Sequence, residues 1–219
     1  MLELWIEGTV DETTQLTNSG VAAAIATNPA IMAKLTQDGQ SLEEVVTAIC
    51  SKTEAPLYVQ LHGPDVDHYK REMEGLLNIS TQIHPKLVAD LGGIAAVKPL
   101  KAMGRKPLVT TVATLNQAYL AAAVEADYIA PYIGRIADAG GDTTQLLHDI
   151  RKMYDRSGAL TQIAAASVRS PEQAENALRA GAHVLVMGYG VYQRLLDDDL
   201  TQAWIAGFEE NWQTFSYNL

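Results

Sequence analysis

At 219 residues the chain can bury a full core as one domain, and 47% hydrophobic residues with 19% charged exclude a disordered or linker-divided protein. A formal net charge of −10 excludes nucleic acid and anionic membranes as natural partners, since both need clustered Lys and Arg, and confines any anionic ligand to a local cationic pocket. The single cysteine, Cys50, excludes an internal disulfide and a thiolate metal cluster and fits the reducing cytoplasm.

The first residues, MLELWIEG, carry Glu where a signal peptide has a basic region, and no long apolar run follows, so they read as a strand. Short apolar runs then recur at 2–7, 21–27, 56–61, 80–86, 107–113, 127–132, 161–167 and 183–188, which predicts eight strands. Helix signals lie between them. Pro29 stands just inside a start, Ser41 precedes LEEVVTAI, Gly104 follows AVKPLKAM, and Ser170-Pro171 precedes EQAENALRAG. Strict alternation implies a parallel sheet, and eight units of roughly 25 residues suit a closed (β/α)8 barrel better than an open doubly wound sheet. We therefore expect an α/β fold, one barrel domain over residues 1–219. Two features resist the pattern: the alanine-rich runs 21–27 and 161–167 read locally as helix, and Pro85 removes one ladder hydrogen bond from the fourth strand. After the eighth strand, 199–217 reads as an amphipathic helix with Trp204, Phe208 and Trp212 at i, i+4 and i+8.

In such a barrel the active site lies at the C-terminal ends of the strands. The polar residues near those ends are Glu7, Thr27 with Asn28, Gln60, Lys86, Thr110, Tyr132 and Ser167. Lys86 is the only lysine among them. A free lysine is neutral only about once in 2,500 at pH 7, so a nucleophilic one depends on burial, which an inward-facing strand position provides. Strand alternation puts His84 on the same side, one layer deeper, where a hydrogen-bonded core histidine is the simplest reading. Arg135 and Arg169 follow the sixth and seventh strands, where barrel loops commonly build phosphate sites, and Ser167 adds a hydroxyl to that corner. The five histidines are scattered singly, so no metal site is indicated, and no P-loop or GxGxxG unit is present. Gly140-Gly141-Asp142 reads as a loop and an N-cap.

The segments LELWIE, ATNPAIMAK, YVQL, HPK, VKPLKAMG, YIAPYIGRI, AASVRSPEQA and FEENWQ, in this order, resemble the small transaldolase-like family that includes fructose-6-phosphate aldolase. The resemblance covers nearly the whole chain. It implies that Lys86 forms a Schiff base, that Gln60, Thr110 and Tyr132 hold the water used in proton transfer, and that Glu7 and Asn28, with Thr27 beside them, meet the donor. It further implies that Arg135 and Ser167, with Arg169 nearby, take the phosphate end. Substrates would be a sugar phosphate and dihydroxyacetone, with no external cofactor. Transaldolases carry Glu in place of Gln60 and typically Phe in place of Tyr132, so both residues resemble the aldolase branch. The family's rings imply a homo-oligomer, pentamer or decamer, in which the 199–217 helix packs on a neighbouring subunit. Departures are Glu7 for Asp, Ala26 for the first Thr of Thr-Thr-Asn-Pro, and His84-Pro85 for aliphatic residues. They leave a transaldolase, a non-catalytic sugar-phosphate binder, or an isomerase using Glu7 as alternatives.

Overall fold

The computed structural model describes residues 2–37 and 39–215. Eight parallel strands close into a barrel in chain order: β1 Glu3–Glu7, β2 Ala24–Ala26, β3 Leu57–Gln60, β4 Ile83–Val88, β5 Leu108–Val112, β6 Tyr128–Pro131, β7 Gln162–Val168 and β8 Val184–Gly188. β8 returns to β1 with Glu7 opposite Gly188, which completes the ring. Helices separate the strands and cover the outside. Their starts follow local chemistry. Asn28 accepts from the Ile31 N–H with Pro29 at the first helical position, and Ser41 and Glu44 form a reciprocal capping box. Asp142 caps Thr143–Ser157 and Ser170 caps Pro171–Arg179. Gly104, at φ 75°, supplies the left-handed residue beyond Leu91–Ala102.

Two buried clusters hold the layers together. The larger lies between sheet and helices and gathers Ile6, Ile25, Leu57, Val59, Ile83, Leu87, Val109, Ile129, Ile163, Leu185 and Met187 from the outward faces of the strands. The smaller fills the barrel and explains the alanine-rich strands. Ala24, Ala26, Ala130, Ala164 and Ala166 face inward with Trp5, Tyr58, Leu108, Val184 and Val186. Small side chains on β2, β6 and β7 leave room for large rings from β1, β3 and β6. Trp5 stacks on Tyr58 at 4.4 Å between centroids and meets the edge of Tyr128 at 4.7 Å. His84 lies against Tyr58 at 5.4 Å, inside the barrel as alternation requires.

The boundaries differ from the sequence expectation by more than one residue in three places. β2 is only three residues long. β4 starts at Ile83, because 80–82 form a turn in which Ser80 Oγ accepts from the Gln82 N–H. It runs on through Leu87 and Val88, so Lys86 stands two residues short of the strand end, deeper than its sequence position suggested. The last helix spans Asp199–Trp212 rather than 199–217, and of the expected stretch 216–217 lie outside the described residues.

Candidate active site

β3 and β4 pair in register with Gln60 opposite Lys86, which sets both at one level near the C-terminal mouth. Lys86 is 3% exposed and is the only buried lysine among the described residues. Its Nζ donates to the Thr27 carbonyl at 2.7 Å, across the barrel wall from β4 to the exit of β2. The strand places it there because an inward residue at this height has aromatic rings below it and solvent only above. Glu7, on β1, faces the same space. Burial pushes its carboxyl above the ordinary carboxylate range, while the charges of Lys86 and Arg135 pull it back. A carboxyl so balanced can carry a proton close to neutral pH better than a solvated one.

Opposite these groups, Thr110 Oγ donates to Tyr132 Oη at 3.0 Å. The phenol oxygen accepts this bond and keeps a second lone pair and its own proton, so it can take up a proton on one side while giving its own on the other. Tyr132 is the residue before the helix Ile133–Asp138, and two basic groups lie over its ring: Lys86 Nζ is 5.7 Å and Arg135 Cζ 5.0 Å from the centroid. Arg135 is exposed at the rim. Gln60 is half-buried at the end of β3, and among the described residues its side chain has no hydrogen-bond partner. Glu7, Gln60, Lys86, Thr110, Tyr132 and Arg135 thus gather around one opening.

The remaining sequence candidates play more local parts. Thr27 is 2% exposed and its hydroxyl donates to the Tyr58 carbonyl, so its contribution is the backbone oxygen that holds Lys86 rather than a side chain open to a ligand. Asn28 uses Oδ1 as a helix cap for Ile31. Its amide nitrogen has no partner among the described residues. Ser167 sits in the left-handed region at φ 60°, packed under the helix Ile133–Asp138. Arg169 pairs with Asp138 at 2.6 Å, an exposed ion pair that competes with any anionic ligand for its guanidinium. Sequence reasoning missed Gly134. A Cβ there would collide with the Ser167 carbonyl and lie 2.8 Å from Arg169 Nε, so its lack of a side chain lets the two loops meet. The only signal was a glycine immediately before Arg135 in YIGRI.

A buried amine, a carboxyl with an upward-shifted pKa, a hydroxyl relay and a rim guanidinium can together add an amine to a carbonyl, move protons and hold an anion. Comparison with known proteins gives the family. Residues 7–217 match the family described as transaldolase/fructose-6-phosphate aldolase. A probable transaldolase of Pelotomaculum thermopropionicum is 31% identical over 97% of this chain and 98% of its own length. Probable transaldolase 2 of Listeria monocytogenes is 32% identical over 94% of each chain. A probable transaldolase of Leptospira biflexa is 34% identical over 92% of this chain and 93% of its own.

Proposed function

Because the chain belongs to the transaldolase/fructose-6-phosphate aldolase family, we propose that it is a class I aldolase acting through a Schiff base on Lys86. The single observation that carries the reading is the burial of Lys86 beside Glu7 and the Thr110–Tyr132 pair. The neutral amine adds to the ketone of fructose 6-phosphate or a similar ketose, and loss of water leaves an iminium. The C3–C4 bond then breaks and its electron pair flows toward the iminium nitrogen, giving an enamine. The proton of the C4 hydroxyl passes to Tyr132 through a water held by Gln60 and Thr110, and the aldehyde departs. Protonation and hydrolysis of the enamine release dihydroxyacetone and restore the amine. Glu7 and Asn28 orient the donor hydroxyls. Arg135 and Ser167, with Arg169 once it leaves Asp138, hold the aldehyde's phosphate. No external cofactor enters these steps, and the single cysteine suits a cytoplasmic setting.

Borohydride reduction in the presence of dihydroxyacetone, followed by intact mass and peptide mapping, tests chemistry and site together. The expected result is a three-carbon adduct on Lys86, and mapping to Lys98, Lys101 or Lys106 sinks the assignment. The second reading, transfer of a three-carbon unit between sugar phosphates, is favoured by the name probable transaldolase that the relatives carry. It predicts little free dihydroxyacetone until an aldose phosphate acceptor is added.

The assembly proposal rests on the last helix, where Asp199–Trp212 buries none of its residues in the single chain and Trp204 and Phe208 are 62% and 64% exposed. We read this face as the contact that closes a ring, a pentamer or a decamer of paired rings. Light scattering decides it, since a stable monomer at micromolar concentration contradicts the ring. No helix among the described residues is long and apolar enough to cross a membrane.

A further inference from the structure

Two strands lose register near the mouth: β5 against β6 between Val109 and Val112, and β7 against β8 between Ala165 and Val168. At each break a hydroxyl residue rather than a glycine takes the left-handed conformation, Thr111 at φ 59° and Ser167 at φ 60°. For a β-branched residue this conformation is a steric outlier, and such outliers persist where the surroundings hold them. Ser167 has a place in the proposed phosphate end. Thr111 has none in the chemistry so far, and it is exposed.

Its hydroxyl is nevertheless engaged twice. Thr111 Oγ donates to the Thr110 carbonyl at 2.6 Å and accepts from the Ala89 N–H at 3.2 Å. Ala89 lies just beyond the end of β4, three residues after Lys86, and Thr110 is the residue whose own hydroxyl donates to Tyr132. The extra residue also changes the phase of β5. Val109 and Val112 both belong to the outer core, whereas strict alternation would turn Val112 inward. The bridge therefore joins the exit of the lysine strand to the carbonyl at the bulge, and it fixes which way Thr110 is aimed.

We propose that Thr111 is a positioning residue for proton transfer: its hydroxyl bridge between β4 and β5 holds Thr110 so that it donates to Tyr132, leaving the phenol proton for the reacting centre. The inference rests on the Schiff-base reading of Lys86. With dihydroxyacetone alone, the amine adds to the carbonyl, the carbinolamine gives up hydroxide, and the iminium forms without any need of this bridge. The iminium then loses one C–H proton from the adjacent carbon to that hydroxide, which the phenol proton of Tyr132 holds in place and which departs as water; that C–H pair becomes the C=C bond and the C=N pair moves onto nitrogen, giving the enamine. In D2O a deuteron returns to the same carbon. Thr111 acts on the second step only.

The experiment compares wild type with Thr111→Val, Thr111→Ser and Thr111→Gly. Each is assayed for borohydride trapping of dihydroxyacetone by intact mass, for hydrogen–deuterium exchange at the donor carbon by NMR, for kcat and KM, and for its urea midpoint. Thr111→Val is expected to trap as wild type does while exchange and kcat fall about 10- to 100-fold, the scale of a misplaced catalytic group, with KM little changed. Thr111→Ser restores the bridge and the rates. Thr111→Gly relieves the backbone but lacks the hydroxyl, so it falls with Thr111→Val and stands in for it if the valine variant does not fold. Exchange at the wild-type rate in the variants lacking the hydroxyl, failure of Thr111→Ser to rescue, or trapping lost in parallel with exchange overturns the proposal. Unfolding of both Thr111→Val and Thr111→Gly beside a sound Thr111→Ser makes the bridge a stability device and also overturns it. A wild-type protein that yields no adduct overturns the Schiff-base reading itself, and this inference with it. A wild-type adduct beside unchanged exchange in Thr111→Val overturns this inference alone.

Discussion

The two ends of the barrel interior are built from similar residue types to opposite ends. At the floor, polar atoms are largely engaged with one another. Trp5 Nε1 donates to Glu3 Oε2 at 2.8 Å, the hydroxyls of Tyr58 and Tyr128 are hydrogen-bonded, and burial pushes both phenols up. Two floor-end oxygens, Asp127 Oδ2 and Gln162 Oε1, have no hydrogen bond. Lys101 Nζ lies 3.3 Å from the first, and both residues line a cavity of about 440 Å³. At the mouth, Lys86 has one backbone partner, Tyr132 keeps a proton to give, and Gln60 is unpaired among the described residues. A tyrosine in a closed network specifies packing, and a tyrosine with one bond left open can do chemistry. Open hydrogen-bond positions occur at both ends, and at the mouth they converge on one buried amine.

The comparison predicts that mouth variants lose activity and keep stability, and that floor variants do the reverse. Lys86→Met makes the largest change. It keeps most of the methylene stem and removes the amine proposed as nucleophile, so turnover should drop on the order of 10⁶-fold, as for other removed nucleophiles. The urea midpoint should hold, because a buried amine is exchanged for a thioether of similar shape. Trp5→Ala is the counterpart at the floor. It removes the ring stacked on Tyr58 and should destabilise by about 3–5 kcal/mol, with turnover per folded molecule nearly retained. Large losses of turnover in folded Trp5→Ala would show that the two ends are coupled.

The floor was the less legible end. Eight strands, their order and the polar residues near their ends follow from alternation and strand-end logic, because a parallel barrel imposes period and direction on every unit. Packing across the barrel has no such local signature. Trp5, Tyr58 and Tyr128 are far apart in the chain, and nothing in any one strand says that the alanines of β2 and β7 exist to make room for them. The bulges at Thr111 and Ser167 were equally hidden, since Thr is an ordinary strand former, Ser is common at any strand end, and the usual mark, glycine, is missing at both. Thr27 shows a further limit. Its position was legible and its role was not, because the Tyr58 carbonyl that takes its hydroxyl comes from the neighbouring strand.

A smaller effect sharpens the mouth. Arg135 is exposed and stacks over Tyr132, which leaves its guanidinium edge open to an anion. Arg135→Ala should lower kcat/KM for phosphorylated substrates by about 10- to 150-fold, the equivalent of a charge-assisted pair of about 1.5–3 kcal/mol. Unphosphorylated aldehydes should be affected much less. Equal losses for both would move the phosphate elsewhere, with Arg169 as the next candidate after its release from Asp138.

The smallest expected effect belongs to His84, which shares a strand face with Lys86 but lies at the floor beside Tyr58. Its imidazole is pushed down to about 4, first by burial and then by the charges of Arg105 and Lys106. In the unfolded chain the same ring takes a proton near its ordinary value of 6.5. Between these values the unfolded state binds more protons than the folded one, so this residue's contribution to stability is whole above pH 6.5 and is lost as pH falls toward 4. Because the ring is only partly buried, solvent screens the effect, and a loss of about 1–2 kcal/mol across the window is expected. Carboxylates elsewhere titrate in the same range, so the difference between wild type and His84→Phe isolates the term. The phenyl keeps a ring against Tyr58, and the only polar contact it loses among the described residues is the long 3.4 Å bond from the Lys106 N–H to Nδ1. Urea midpoints measured from pH 7 to pH 4 should fall more steeply for wild type than for His84→Phe, with turnover at pH 7 similar in both. Parallel curves would mean that His84 takes its proton as readily in the folded barrel as in the unfolded chain, so that its burial costs the charged ring nothing.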